Sequence, residues 1–104
     1  MKYYGRAPLR IGLAGGGSDI VEHFSRHGGA VLNITINNYA HVFIEKNDVG
    51  KLIFQSHDLG KTENYNDLKD CENLIDKSNL KLHLGALTFI SKKYSLNFNS
   101  LTIS

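Results

Sequence analysis

Arg6-Ala7-Pro8-Leu9-Arg10-Ile11-Gly12-Leu13-Ala14-Gly15-Gly16-Gly17-Ser18-Asp19 runs from an alternating apolar pattern into three glycines and then into two polar residues. Leu9, Ile11 and Leu13 alternate with Arg10 and Gly12, the period of a strand with one buried face. Pro8 confines that strand to an edge or gives it a break. Ser18 and Asp19 are N-cap candidates for a short helix with Ile20, Val21 and Phe24 on one face, which Gly28-Gly29 ends. Consecutive glycines permit positive φ and let a ligand approach the backbone. Their N–H groups can form an anion-binding nest beside a helix start, and the same residues also make a plain tight turn. A P-loop is excluded, because Gly17 is followed by Ser18-Asp19 and not by Lys-Ser/Thr. The dinucleotide fingerprint G-x-G-x-x-G fails too, with Ile20 at its third glycine.

Outward from this turn the pattern is mixed. Residues 2–13 are extended. Residues 30–45 are rich in β-branched and aromatic side chains and form the longest strand candidate, with Asn37-Asn38 as a turn or bulge inside it. Lys46-Asn47-Asp48-Val49-Gly50 signals a hairpin, and 51–57 is the returning strand. Residues 58–72 carry seven charges and are expected to form a loop, with Cys71 in it. Leu80, Leu84, Leu87, Ile90 and Tyr94 then line one helix face, capped by Ser78 or Asn79. Gly85 inside that helix implies close packing against a neighbour. A last strand is expected over 96–103. This order predicts an α+β fold, a mostly antiparallel sheet with helices packed on one face.

The chain has 104 residues, 41% of them hydrophobic and 21% charged. That suffices for one domain and one core, and excludes wholesale disorder. A net charge of +2, with no basic run, gives no basis for nucleic-acid binding. No apolar stretch is long enough to span a membrane, and the polar start is not a signal peptide. The single cysteine excludes an internal disulfide and points to a reducing, cytoplasmic setting. His23 and His27 share a helix face, but no third ligand is evident from spacing, so no metal site is expected. Tyr3 and Tyr4 are expected to pack at a core or strand edge, and Arg6 to be a solvated strand-edge cation.

Residues 7–19 resemble the first motif of the GHMP kinase superfamily, whose galactokinase version reads A-P-G-R-V-N-L-I-G-E-H-T-D. Ala7, Pro8, Arg10, Leu13, Gly15 and Asp19 match without a gap, and Ile11 and Ser18 are conservative. Gly16-Gly17 replaces the Glu-His pair. That form, with Gly29 to Ile36, Tyr39 and His41 downstream, is similar to the branch holding the D-glycero-D-manno-heptose 7-phosphate kinases and the fucokinases. The resemblance implies that Asp19 binds sugar hydroxyls and that Arg10 is catalytic, stabilising the transferring phosphoryl group. The competing structural readings are an N-cap for Asp19 and an ion pair for Arg10. Gly15, Gly16 and Gly17 would line the substrate pocket. Ser18 would either bond the ligand or cap the helix.

By the same resemblance the activity is an ATP-dependent sugar or sugar-phosphate kinase, with Mg2+ bridging the nucleotide phosphates. The expected reaction converts D-glycero-D-manno-heptose 7-phosphate to the 1,7-bisphosphate, for surface polysaccharide biosynthesis. The alternatives are another sugar kinase of the branch, fucokinase-like, or a non-catalytic sugar-binding module. The family's phosphate loop, of the form G-x-G-S-S, does not occur in residues 1–104, which are therefore expected to be the N-terminal part of a kinase domain and inactive alone. The catalytic base would lie past Ser104. Unpaired strand edges in such a piece would promote self-association.

Overall fold

The computed structural model describes all 104 residues. The elements are β1 (Lys2–Ala14), α1 (Val21–His27), β2 (Leu32–Lys46), β3 (Leu52–Ser56), β4 (Lys61–Tyr65), α2 (Leu68–Leu74), α3 (Lys81–Tyr94) and β5 (Leu101–Ile103), with a 3-10 turn over Ile75–Lys77. The strands pair in the order β1-β2-β5-β3-β4. β5 runs antiparallel to β2 and parallel to β3, and β3 is antiparallel to β4. The parallel pair is joined by a crossover containing β4, α2 and α3, as parallel strands require. The mixed fold, with an antiparallel-dominated sheet, agrees with the sequence reading, but the hairpin expected at 46–50 is not formed, because β5 lies between β2 and β3 and takes the hydrogen bonds their edges would have exchanged. No helix is long and apolar enough to cross a membrane.

Two compact units divide the chain, Met1–Gly5 with Val42–Ser104, and Arg6–His41. The core lies in the first. Its register places Leu52 opposite Tyr65, and Phe54 opposite Ile103, on one sheet face. Phe54, Leu52, Leu84 and Cys71 are completely buried, joined by Leu80, Leu87, Tyr65 and Ile103 from the helices and strands around them. Full burial of each such aliphatic or aromatic side chain contributes about 1.5–3 kcal/mol. The Phe54 and Tyr65 rings meet edge to face at 5.8 Å. Towards its start, Tyr4 packs as expected for a strand edge, stacking on Phe43 at 4.9 Å.

Several sequence expectations are corrected in this unit. The polar stretch 58–72 contains a strand and a helix. Its strand was concealed because one of the two side chains that β4 turns inward is Glu63. That carboxylate is satisfied there by Ser78 Oγ (2.5 Å), Tyr65 Oη (2.6 Å) and the Asn79 backbone N–H (2.9 Å). Burial acts to raise the Glu63 pKa, but the hydrogen bonds from Ser78, Tyr65 and Asn79 together prevail and hold it at about 2. Burial, and then the Glu63 carboxylate, push the Tyr65 hydroxyl up. Asp67 caps α2 by accepting the Asp70 N–H at 2.8 Å. Cys71 is therefore a helical core residue and not a loop thiol, and burial raises its pKa to about 11.

On α3 the N-cap is Leu80, without a side-chain bond. Ser78 acts nearby, its Oγ accepting the Leu80 N–H at 2.8 Å. The buried face is Leu84, Leu87, Thr88 and Ser91, whereas Ile90 and Tyr94 are exposed. Thr88 and Ser91 tolerate burial because their hydroxyls donate to the carbonyls of Leu84 and Leu96. Gly85 is not a close approach: a Cβ there would meet only Ile75 Cδ1, at an ordinary 3.7 Å. The final strand shrinks to three residues, since Leu96 is held in the helix end, its N–H donating to the Ser91 carbonyl at 2.9 Å.

In the second unit, β1 and β2 flank the glycine turn and α1. Asn37-Asn38 forms no turn, because β2 is continuous from Leu32 to Lys46. Leu9, Ile11 and Leu13 do alternate along β1, but they are 45%, 49% and 58% exposed, so the expected buried face is uncovered.

Candidate functional site

All six residues singled out by the sequence lie in the Arg6–His41 unit. Arg10 is exposed on β1 and makes no ion pair or hydrogen bond. Arg6 is not simply solvated: its guanidinium lies 4.8 Å from the centre of the Tyr39 ring, a cation–π contact.

The glycine turn is closed by the Ser18 N–H donating to the Gly15 carbonyl at 2.9 Å. That bond occupies one of the N–H groups an anion-binding nest would offer. Gly15 has φ +80°, where other residues are strained. A Cβ at Gly15 would also stand 1.9 Å from the Ala30 carbonyl oxygen. Gly16 and Gly17 differ, with φ outside the left-handed region and open space where a Cβ would sit.

The two capping alternatives fail for Ser18 and Asp19. The N-cap of α1 is Ile20, in extended conformation and with no side-chain cap bond. Asp19 is exposed and has no hydrogen bond or ion pair with the protein, including none with Arg10. Its carboxylate is therefore available to a ligand. Ser18 is half-buried, and its Oγ is within bonding distance of the Gly15 carbonyl (2.8 Å), the Ala30 carbonyl (2.9 Å) and the Ala30 N–H (3.1 Å).

Ser18 and Asp19 line a hollow of about 270 Å³ together with Phe24 and residues 28–31. Its lining is mostly apolar, with Phe24, Ala30 and Val31 beside the Ser18 hydroxyl and the Asp19 carboxylate; Arg10, Gly15, Gly16 and Gly17 do not line it. This combination suits a polyhydroxylated ligand, whose hydroxyls a carboxylate accepts in pairs while its C–H faces rest on apolar atoms. The sequence reading missed the contribution of residues 28–31, treating Gly28-Gly29 only as a helix end. The available signal was the second glycine, since one suffices to end a helix; in the structure Gly28 supplies that positive φ, 71°. His23 and His27 have ring centres 5.2 Å apart, and no three His, Cys, Asp or Glu side chains are placed to hold a metal ion.

No family model matches this sequence. Over 102 residues, 95% of this chain, it is 36% identical to the D-glycero-alpha-D-manno-heptose 7-phosphate kinase of Campylobacter jejuni, covering 29% of that protein. A crystal structure of a D-glycero-D-manno-heptose 1-phosphate kinase from Bacteroides thetaiotaomicron superposes with a TM-score of 0.71 at 31% identity, over 99% of this chain and 32% of that one. A protein from Campylobacter jejuni described as a sugar kinase superposes with a TM-score of 0.66 at 30% identity, over 98% of this chain and 30% of that one. The chain is thus homologous to the heptose phosphate kinases, phosphotransferases of the GHMP type, and spans about three tenths of the length of the relatives it matches.

Proposed function

We propose that the protein carrying this chain is an ATP-dependent kinase that converts D-glycero-D-manno-heptose 7-phosphate to the 1,7-bisphosphate. The observation that carries this reading is the 36% identity to a heptose 7-phosphate kinase across 95% of the chain. The site geometry supports it: the carboxylate bordering the hollow and the Arg10 guanidinium on β1 are both exposed and committed to no protein partner. Asp19 would accept hydrogen bonds from two sugar hydroxyls and so orient the ring. Arg10 would stabilise charge on the phosphoryl group as it transfers. Gly15, Gly16 and Gly17 do not line the hollow; their turn precedes Ser18 and Asp19, which do, and would carry Asp19 to the sugar. A divalent cation, Mg2+ with ATP, would supply charge neutralisation at the transferring phosphates. Such an enzyme would act in the cytoplasm, where ATP is supplied, and would serve nucleotide-heptose formation for surface polysaccharide.

The test is ADP release by the full-length protein with ATP, Mg2+ and a panel of heptose 7-phosphate, heptose 1-phosphate, fucose and galactose. Both heptose phosphates belong in the panel because the relatives' names place the substrate phosphate at different carbons. Turnover is expected with the 7-phosphate, and phosphorus NMR should show a second phosphomonoester at the anomeric carbon. Asp19→Asn should raise the sugar KM by about ten- to a hundredfold, the loss of a charge-assisted hydrogen bond of about 1.5–3 kcal/mol, and leave the melting temperature unchanged because Asp19 caps nothing. Turnover with fucose alone would replace the proposed substrate, and none with any sugar would overturn the kinase reading.

A further inference from the structure

Gly15 and Gly29 lie fourteen positions apart, yet each is required by the other segment's backbone. A Cβ on Gly15 would sit 1.9 Å from the Ala30 carbonyl oxygen, and a Cβ on Gly29 would sit 2.2 Å from the Ser18 carbonyl oxygen. Both obstacles are backbone atoms, so neither can swing aside as a side chain would. The turn 15–18 is therefore seated directly on the chain at 29–30, without room for one methyl group at either contact. Ser18 Oγ bridges the same two segments. Its single proton is shared between the carbonyls of Gly15 and Ala30, at 2.8 and 2.9 Å, and one lone pair accepts the Ala30 N–H at 3.1 Å. A hydroxyl bound in this way has no proton left for a ligand. Asp19 follows Ser18 directly, and both line the hollow together with residues 28–31.

We infer that Ser18 and Gly29 are positioning residues: together they lock the glycine turn onto residues 29–30 and thereby fix where Asp19 stands relative to the wall of the sugar pocket. Ser18 thus acts through Asp19 and not on the substrate. Gly29, outside the turn, is the second half of the lock. The kinetic arm of the test rests on the proposed sugar-kinase activity; the structural arm does not.

The variants are Ser18→Ala, Ser18→Thr, Gly29→Ala, Asp19→Asn and the double variant Ser18→Ala/Asp19→Asn, made in the full-length protein. Gly12→Ala is the control, since a Cβ there meets nothing within 4 Å and its φ is ordinary. Amide hydrogen exchange is read first. Ser18→Ala removes the partner of the Ala30 N–H, so exchange at Ala30 should quicken at least tenfold; Ser18→Thr should restore protection and Gly12→Ala should leave it unchanged. Unchanged exchange in Ser18→Ala would overturn the lock whatever the protein's activity. In kinetics, Ser18→Ala and Gly29→Ala should each raise the sugar KM about tenfold and alter the ATP KM less than twofold, with Ser18→Thr recovering most of the loss. The double variant should be no worse than Asp19→Asn alone. Losses that multiply would mean that Ser18 touches the substrate itself and would overturn the positioning role. If the unmodified protein turns over no sugar, the kinase reading fails by itself, and exchange at Ala30 still decides the lock.

Discussion

Replacing Glu63 by Gln removes a charge and little else. In the native network one carboxylate oxygen accepts from the hydroxyls of Ser78 and Tyr65, and the other from the backbone N–H and side-chain amide of Asn79. The Gln carbonyl can keep the Asn79 N–H, while its amide faces two hydroxyls that can turn to accept. The loss therefore measures what the negative charge contributes. Folding lowers the Glu63 pKa from an ordinary 4.5 to about 2. At 1.36 kcal/mol per pH unit this gap corresponds to about 3 kcal/mol, which solvent screening at a half-buried site reduces to about 1–2 kcal/mol. The sign follows from linkage. The folded state holds the carboxyl ionised at pH values where the unfolded chain protonates it. The contribution is therefore complete above about pH 5.5 and is lost as pH falls from about 4.5 towards 2. Urea unfolding of the native protein and Glu63→Gln should show a difference of about 1–2 kcal/mol at pH 6.5 that falls by more than half at pH 3. An equal difference at both pH values would refute the reasoning, because a carboxylate with matched folded and unfolded pKa values has no pH-dependent contribution.

Three further outcomes are expected. Leu84→Ala should destabilise the protein by about 2–5 kcal/mol in the same assay, since Leu84 is fully buried between α3 and the sheet. Gly85→Ala should stabilise it by about 0.5–1 kcal/mol, because the added methyl meets Ile75 at an ordinary distance and the helix loses a flexible residue. Cys71, buried and with its pKa raised to about 11, should react with a chromogenic disulfide at pH 8 no faster than the protein unfolds, and immediate reaction in the folded state would place it at the surface.

Residues 6–19 determined much about this protein on their own. Alternating Leu9, Ile11 and Leu13, then three glycines and a polar pair, specify strand, turn and helix from local chemistry. The gapless correspondence of Ala7, Pro8, Arg10, Gly15 and Asp19 was enough to indicate the kinase relationship that the comparisons bear out. Strand β2 and helix α3 were equally legible, because β-branched runs and leucines spaced by three or four express their periods without reference to distant residues. What the tertiary structure decided is of another kind. β4 was invisible because it turns a carboxylate inward, and that is tolerable only where Ser78, Tyr65 and Asn79 converge from other elements. The buried face of α3 includes Thr88 and Ser91 and leaves out Ile90 and Tyr94, since burial follows the position of the sheet and not hydropathy alone. The roles within the glycine-rich segment divided in the same way. The sequence marks Gly15, Gly16, Gly17 and Ser18 alike. Only folding brings Ala30 against Gly15 and Gly29 against Ser18, so that Gly15 and Ser18 hold the turn in place while Gly16, Gly17 and Asp19 remain open to a ligand. Local pattern is a property of neighbours along the chain, whereas contacts between positions eleven to fifteen residues apart exist only once the chain has folded.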